Sequence, residues 1–161
     1  MSVAVCVRVG EKWALAADSA YRVANLSVAL QRSKIRRCCD WLVAAVGGGA
    51  ASQWLYHRIA TEKNWETDWP DLCASVDFRD PAAAIAVHGR RIYLLDTEGN
   101  CALVDKDERV VAIGTGAQIA AGAADALLAE GHDARVVAEG AVTAAIHRDL
   151  HCGGPVEIVE E

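Results

Sequence analysis

Val3, Val5, Val7 and Val9 alternate with Ala4, Cys6 and Arg8, the period of two expected of a strand. Gly10-Glu11-Lys12 reads as a tight turn and Trp13 to Ala17 as the returning strand, so the chain opens with a hairpin. Ser19 to Leu30 has only weak periodicity and predicts no element. Lys34 to Arg37 predicts a short strand and Cys39-Asp40 a turn. The continuous apolar run Trp41 to Val46 predicts a strand buried on both faces, ended by Gly47-Gly48-Gly49. Ala50 to Thr61 carries Ala51, Trp54, Leu55 and Ile59 on one helical face. A second, short helix is predicted over Asp68 to Val76, with Asp68 or Trp69 near its cap and Pro70 in its first turn.

Three further strands are predicted at Ala83 to Val87, Arg91 to Leu95 and Cys101 to Val104, separated by turn-like His88-Gly89-Arg90 and Asp96-Thr97-Glu98-Gly99-Asn100. The apolar strand Arg109 to Ile113 leads through Gly114-Thr115-Gly116 into an Ala-rich helix, Ala117 to Glu130. Gly131-His132 ends that helix, and Asp133 caps the next, Ala134 to about Arg148. Pro155 to Val159 closes the chain as a strand. The order is strands, helices, strands, helices, strand, with hairpins dominant and no regular βαβ alternation. That order predicts an α+β fold of a single domain spanning 1–161. In it, two antiparallel sheets pack face to face and helix pairs cover the outside, a four-layer αββα sandwich.

Composition narrows the chemistry. A chain of 161 residues, 53% hydrophobic and 24% charged, suits one domain with a real core. With one Phe and one Met, that core must be built mainly from Ala and Val. The net charge of -6 argues against a nucleic-acid surface, which needs concentrated Lys and Arg. The one basic cluster, Arg32 to Arg37, reads as a solvated strand flank apart from Lys34. The start of the chain lacks the basic n-region of a signal peptide. No apolar run approaches the roughly 18 residues of a membrane span. A cytoplasmic protein with no membrane partner is expected. Six cysteines without a CxxC pair then read as thiols, most of them core residues. His147 and His151 read as structural or pocket-lining residues before they read as a metal pair. Gly114-x-Gly116 is not a dinucleotide fingerprint, because Ile119 stands where a glycine is required. No metal or organic cofactor is expected.

One constellation carries chemistry. Removal of Met1, which methionine aminopeptidase performs when the second residue is small, would place a hydroxyl and the chain's α-amine together on Ser2. A serine hydroxyl needs an adjacent base to act as a nucleophile, and an α-amine, with a reference pKa of about 7.7–8.0, is a usable one. Lys34 would disfavour protonation of that amine and stabilise negative charge developing on the hydroxyl. Asp18 would hold Lys34 charged and fix its position. The Gly48 amide, at a helix start, would face a forming oxyanion. Such machinery suits acyl transfer from an amide through an ester-linked intermediate.

The register of these residues resembles that of the proteasome β-subunit family, including the bacterial relative HslV. There the nucleophile is the first residue of the mature chain, the aspartate lies sixteen residues on and the lysine thirty-two, as for Ser2, Asp18 and Lys34. The family's Ala-Gly-Gly-Ala-Ala-Asp is similar to Gly47-Gly48-Gly49-Ala50-Ala51-Ser52, its Gly-Ser-Gly to Gly114-Thr115-Gly116, and its Arg-Asp-x-x-Ser-Gly-Gly to Arg148 through Gly154. The resemblance spans residues 2 to about 159. It implies Gly48 as oxyanion donor and Thr115, Asp149 and Cys152 as supports of the amine. It also implies Tyr21, Gly48 and Ala50 as substrate-binding positions. The chain departs from the family where Ser2 replaces its threonine and where Thr115 and Cys152 each stand in place of a serine. The implied protein is a peptidase of stacked homo-oligomeric rings acting on unfolded polypeptide, fed in the relatives by an ATP-driven unfoldase. An inactive ring-forming subunit and a stand-alone small-molecule amidase are the alternative readings of the same fold.

Overall fold

The opening alternation forms the centre of a sheet in the computed structural model, which describes residues 2–23, 26–29 and 33–160. The first half runs β1 (Val3–Val9), β2 (Lys12–Asp18), β3 (Ala20–Val23), β4 (Leu26–Ala29), β5 (Ile35–Cys38), β6 (Trp41–Gly47), α1 (Gly49–Thr61) and α2 (Trp65–Ala74). The second half runs β7 (Ala82–His88), β8 (Arg91–Asp96), β9 (Cys101–Leu103), β10 (Val110–Gly114), α3 (Ala117–Ala129), α4 (Ala134–Arg148) and β11 (Val156–Glu160).

One sheet has the order β10-β1-β2-β11 and another the order β5-β6-β7-β8-β9. Every pairing in both is antiparallel. Three apolar layers show how the sheets stack. Between them lie Ala4, Cys6, Leu15 and Ala17 of the first sheet against Ala44, Val46, Ile85 and Val87 of the second. Val3, Val5 and Val7 turn the other way, onto Ala120, Ala124, Val137, Ala138, Ala141 and Val142 of α3 and α4. On the far side Val43, Ala45, Ala84 and Ala86 face Leu55, Ile59, Trp65 and Trp69 of α1 and α2. This is the four-layer αββα sandwich expected from the order of elements. The alanines on α3 and α4 keep side chains short where helix meets sheet, and β1 is buried on both faces as a result.

The weakly patterned stretch Ser19 to Leu30 is corrected: it contains the antiparallel pair β3–β4, in the register Tyr21↔Val28. Residues 24, 25 and 30–32, within and just after that stretch, lie outside the described residues. The second helix is also corrected. It begins at Trp65, with Asn64 as its N-cap, and Pro70 lies inside it instead of in its first turn. The cause is burial: Trp65 and Trp69 are 2% and 0% exposed. Their indoles meet edge to face, as do Trp41 and Trp65, and Trp69 Nε1 donates to Asp96 O at 2.7 Å. Bringing both indoles into that cluster draws the preceding turn into the helix. Of the six cysteines only Cys6, Cys38 and Cys73 are buried. Cys39 takes a turn position at φ +53°.

Candidate active site

Ser2, Asp18 and Lys34 come from three separate chain segments and meet at one point. The pairing Ala4↔Ala17 brings the start of β1 beside the end of β2. There Asp18 Oδ1 accepts the Val3 N–H at 2.9 Å and the Lys34 ammonium at 2.8 Å. The other oxygen, Oδ2, accepts the Gly153 N–H at 3.1 Å. Lys34 Nζ also donates to Ser2 Oγ. The ammonium therefore bridges the carboxylate and the hydroxyl, with all three residues buried. Burial pushes the Lys34 pKa below the usual lysine value, and the Asp18 charge and hydrogen bond only partly oppose this.

A second group gathers where α4 ends. Asp149 is the C-cap of α4, its N–H donating to Ala145 O at 2.8 Å. Its carboxylate accepts the His151 N–H at 2.9 Å and the Cys152 thiol at 3.5 Å. Burial pushes the Asp149 carboxyl up, but hydrogen bonds from Thr115, His151 and Cys152 outweigh it and leave the group below the usual carboxylate value. Burial raises the Cys152 thiol to about 12, with Asp18 and Asp149 adding to the effect, so it stays protonated at neutral pH. The β1–β10 register, Val3↔Gly114, carries Thr115 to the Ser2 end of the sheet. Ser2, Gly114 and Thr115 share a cavity of about 380 Å³ with Asp96 and Glu98.

On its other side Ser2 opens into a cavity of about 470 Å³, lined also by Lys34, Gly48, Gly49, Ser52 and Asp80. Gly48 stands here, but both its backbone groups are engaged. Its N–H donates to Pro81 O at 3.1 Å, and its C=O accepts the Ser52 N–H at 2.8 Å. The first bond continues the β6–β7 ladder one residue past Gly47↔Ala82. Pro81 has no N–H to return to Gly48, which leaves the Gly48 carbonyl to start α1. Gly49 occupies the first position of that helix, and Gly48 caps it without a side-chain bond.

Ala50 is exposed and is not among the residues lining this cavity. Tyr21 lies in β3, and its side chain is outside the described residues. Asp80, Pro81, Tyr56 and Glu157 come to the site without a sequence signal, because strand pairing and helix packing deliver them. Among the described residues no group of three or more His, Cys, Asp or Glu side chains is placed to hold a metal ion. Among them, too, no helix is long and apolar enough to cross a membrane.

No protein-family model matches the chain and no curated protein matches it in sequence. Solved structures are similar over almost its whole length. Eukaryotic HslV from Trypanosoma brucei is 22% identical with a TM-score of 0.78, covering 98% of each chain. BPH from Thiobacillus denitrificans, solved in complex with epoxomicin, is 21% identical with a TM-score of 0.82 over 99% of this chain and 97% of that one. A second structure of Thiobacillus denitrificans BPH gives 22% and 0.80 over the same shares. Four layers in this strand order and this extent of structural agreement lead to one assignment: the chain has the proteasome-like fold of the N-terminal-nucleophile hydrolases, the fold of HslV and BPH.

Proposed function

We propose that the protein is a peptidase subunit that uses Ser2, exposed by removal of Met1, as an N-terminal nucleophile. One observation carries the reading: the Lys34 ammonium bridges the Asp18 carboxylate and the Ser2 hydroxyl in a buried site onto which two cavities open. Ser2 Oγ attacks a peptide carbonyl carbon while its proton passes to the α-amine. Collapse of the tetrahedral intermediate breaks the C–N bond, and the protonated amine returns that proton to the leaving nitrogen. Water, deprotonated by the same amine, then hydrolyses the ester and restores the hydroxyl. Lys34 lowers the cost of negative charge on Oγ, and Asp18 aims it. Thr115, Asp149 and Cys152 support the amine. The amides of Gly48 and Gly49 receive the oxyanion, which requires Gly48 to release Pro81 O.

Structural similarity to HslV and BPH supports the further proposal that the subunit works in stacked homo-oligomeric rings. On this reading the substrate is unfolded polypeptide, delivered by an ATP-dependent unfoldase. A second reading, a non-catalytic ring-forming subunit, is favoured by the engaged Gly48 N–H. Intact mass before and after epoxomicin separates the two. That epoxyketone bonds to a hydroxyl and a free α-amine on one residue, so an adduct is expected on Met1-processed protein and none on Ser2→Ala. Processed protein that stays unmodified would overturn the catalytic reading.

A further inference from the structure

Lys34 directly precedes β5 of the second sheet, while Ser2 directly precedes β1 and Asp18 ends β2 of the first. The site is therefore only as well aligned as the two sheets are. Two side chains outside the nucleophile's immediate contacts fix the Lys34 backbone. From β11, Glu157 Oε2 accepts the Lys34 N–H at 2.8 Å and the Ser33 hydroxyl at 2.9 Å. From α1, the buried Tyr56 hydroxyl donates to Lys34 O at 2.6 Å and accepts the Ala45 N–H at 3.2 Å. Glu157 pairs with Ala17 in the first sheet, one residue before Asp18. Tyr56 lies on the helix whose first turn lines the Ser2 cavity.

We propose that Glu157 and Tyr56 are positioning residues that act through Lys34: Glu157 ties it to the sheet carrying Ser2 and Asp18, and Tyr56 ties it to the helix carrying the Gly48 and Gly49 amides. The inference rests on the peptidase reading of Ser2. Charge supports it for Glu157. Among the described residues, Asp18 from β2 and Glu157 from β11 favour the charged form of Lys34, as does Cys152 from the segment after α4 once it is ionised.

The test compares wild type, Tyr56→Phe, Glu157→Gln and Glu157→Ala as full chains, processed at Met1 and checked by intact mass. Epoxomicin titration counts the competent sites, and peptide hydrolysis per competent site gives kcat and KM across pH. Tyr56→Phe is expected to lower kcat about tenfold per site with KM within about twofold, as misalignment of a reacting group does. Glu157→Gln keeps the acceptor but loses the charge, so its alkaline limb should move to lower pH. Glu157→Ala should add a kcat loss of at least threefold to that move. A purely structural role would reduce the number of competent sites and leave kcat per site and the pH limb unchanged, and that result overturns the proposal. Labelled wild type with unaltered variants overturns the positioning roles alone. Processed wild type that takes no label overturns the Ser2 reading, and these roles with it.

Discussion

The Lys34 ammonium lies 2.8 Å from Asp18 Oδ1, joining the residue just before β5 of one sheet to the end of β2 in the other, with both side chains almost wholly out of water. Such a pair is held by its partners' completeness. Asp18 meets Val3, Lys34 and Gly153 at once, so neither charge is left without a counterpart. Removing one partner strands the other. Asp18→Asn and Lys34→Met are each expected to cost about 3–5 kcal/mol of unfolding free energy. The double variant should cost clearly less than the sum, because no unpaired charge remains. Urea unfolding of the three variants measures this cycle, and simple additivity would contradict the coupling. Activity should be lost in all three.

The rate of peptide hydrolysis should be bell-shaped in pH. The acid limb reports the α-amine of Ser2, which must be neutral to accept the hydroxyl proton. The alkaline limb reports loss of the Lys34 charge. Because burial lowers the Lys34 pKa, that limb should fall below lysine's ordinary value of about 10.4. A kcat/KM profile still flat at pH 10.5 would be inconsistent with a depressed, catalytically required Lys34.

Gly48 and Gly49 should respond oppositely to alanine. A Cβ on Gly48 would press into the Asp80 backbone, whereas one on Gly49 meets nothing within 4 Å. Gly48 has an ordinary φ of -60°, so the cost is one of space alone. Gly48→Ala is expected to destabilise by about 1–3 kcal/mol and to abolish epoxomicin labelling. Gly49→Ala should be neutral or slightly stabilising, since it places a better helix former in the first turn of α1. Thermal melts and labelling rates of the two variants give the comparison.

Alkaline instability is expected from the thiols. Burial raises Cys6 and Cys152 to about 12 and Cys38 and Cys101 to about 11, against an ordinary value of 9.0. In the unfolded chain these thiols ionise first, so folding keeps protons that unfolding releases. The stability they contribute is complete below pH 9 and is lost as pH rises through 11 to 12. Lys34, depressed instead of raised, works in the opposite sense but is a single group. The urea midpoint should therefore fall from pH 9 upward, and Cys6→Ala, which removes one fully buried thiol, should make that fall shallower.

Much of this protein is legible in the chain. Alternation at Val3 to Val9 fixes a strand, because side chains two apart share a face whatever lies around them. The order of strand and helix segments limits the layers, since each apolar face needs a partner. The intervals from Ser2 to Asp18 and Lys34 mark the candidate site through their resemblance to the register of proteasome β-subunits. Other features depend on contacts that no local pattern encodes. The β3–β4 pair forms from a stretch with weak periodicity. The second helix begins at Trp65, ahead of the start expected at Asp68, and burial of Trp65 and Trp69 in the indole cluster accompanies that extra turn. Gly48 was marked by its glycine neighbours, but only the pairing of β6 with β7 shows its N–H engaged by Pro81. Glu157 and Tyr56 are unremarkable as letters. They reach Lys34 from 123 and 22 residues away, and only the packing of two sheets and one helix brings them there.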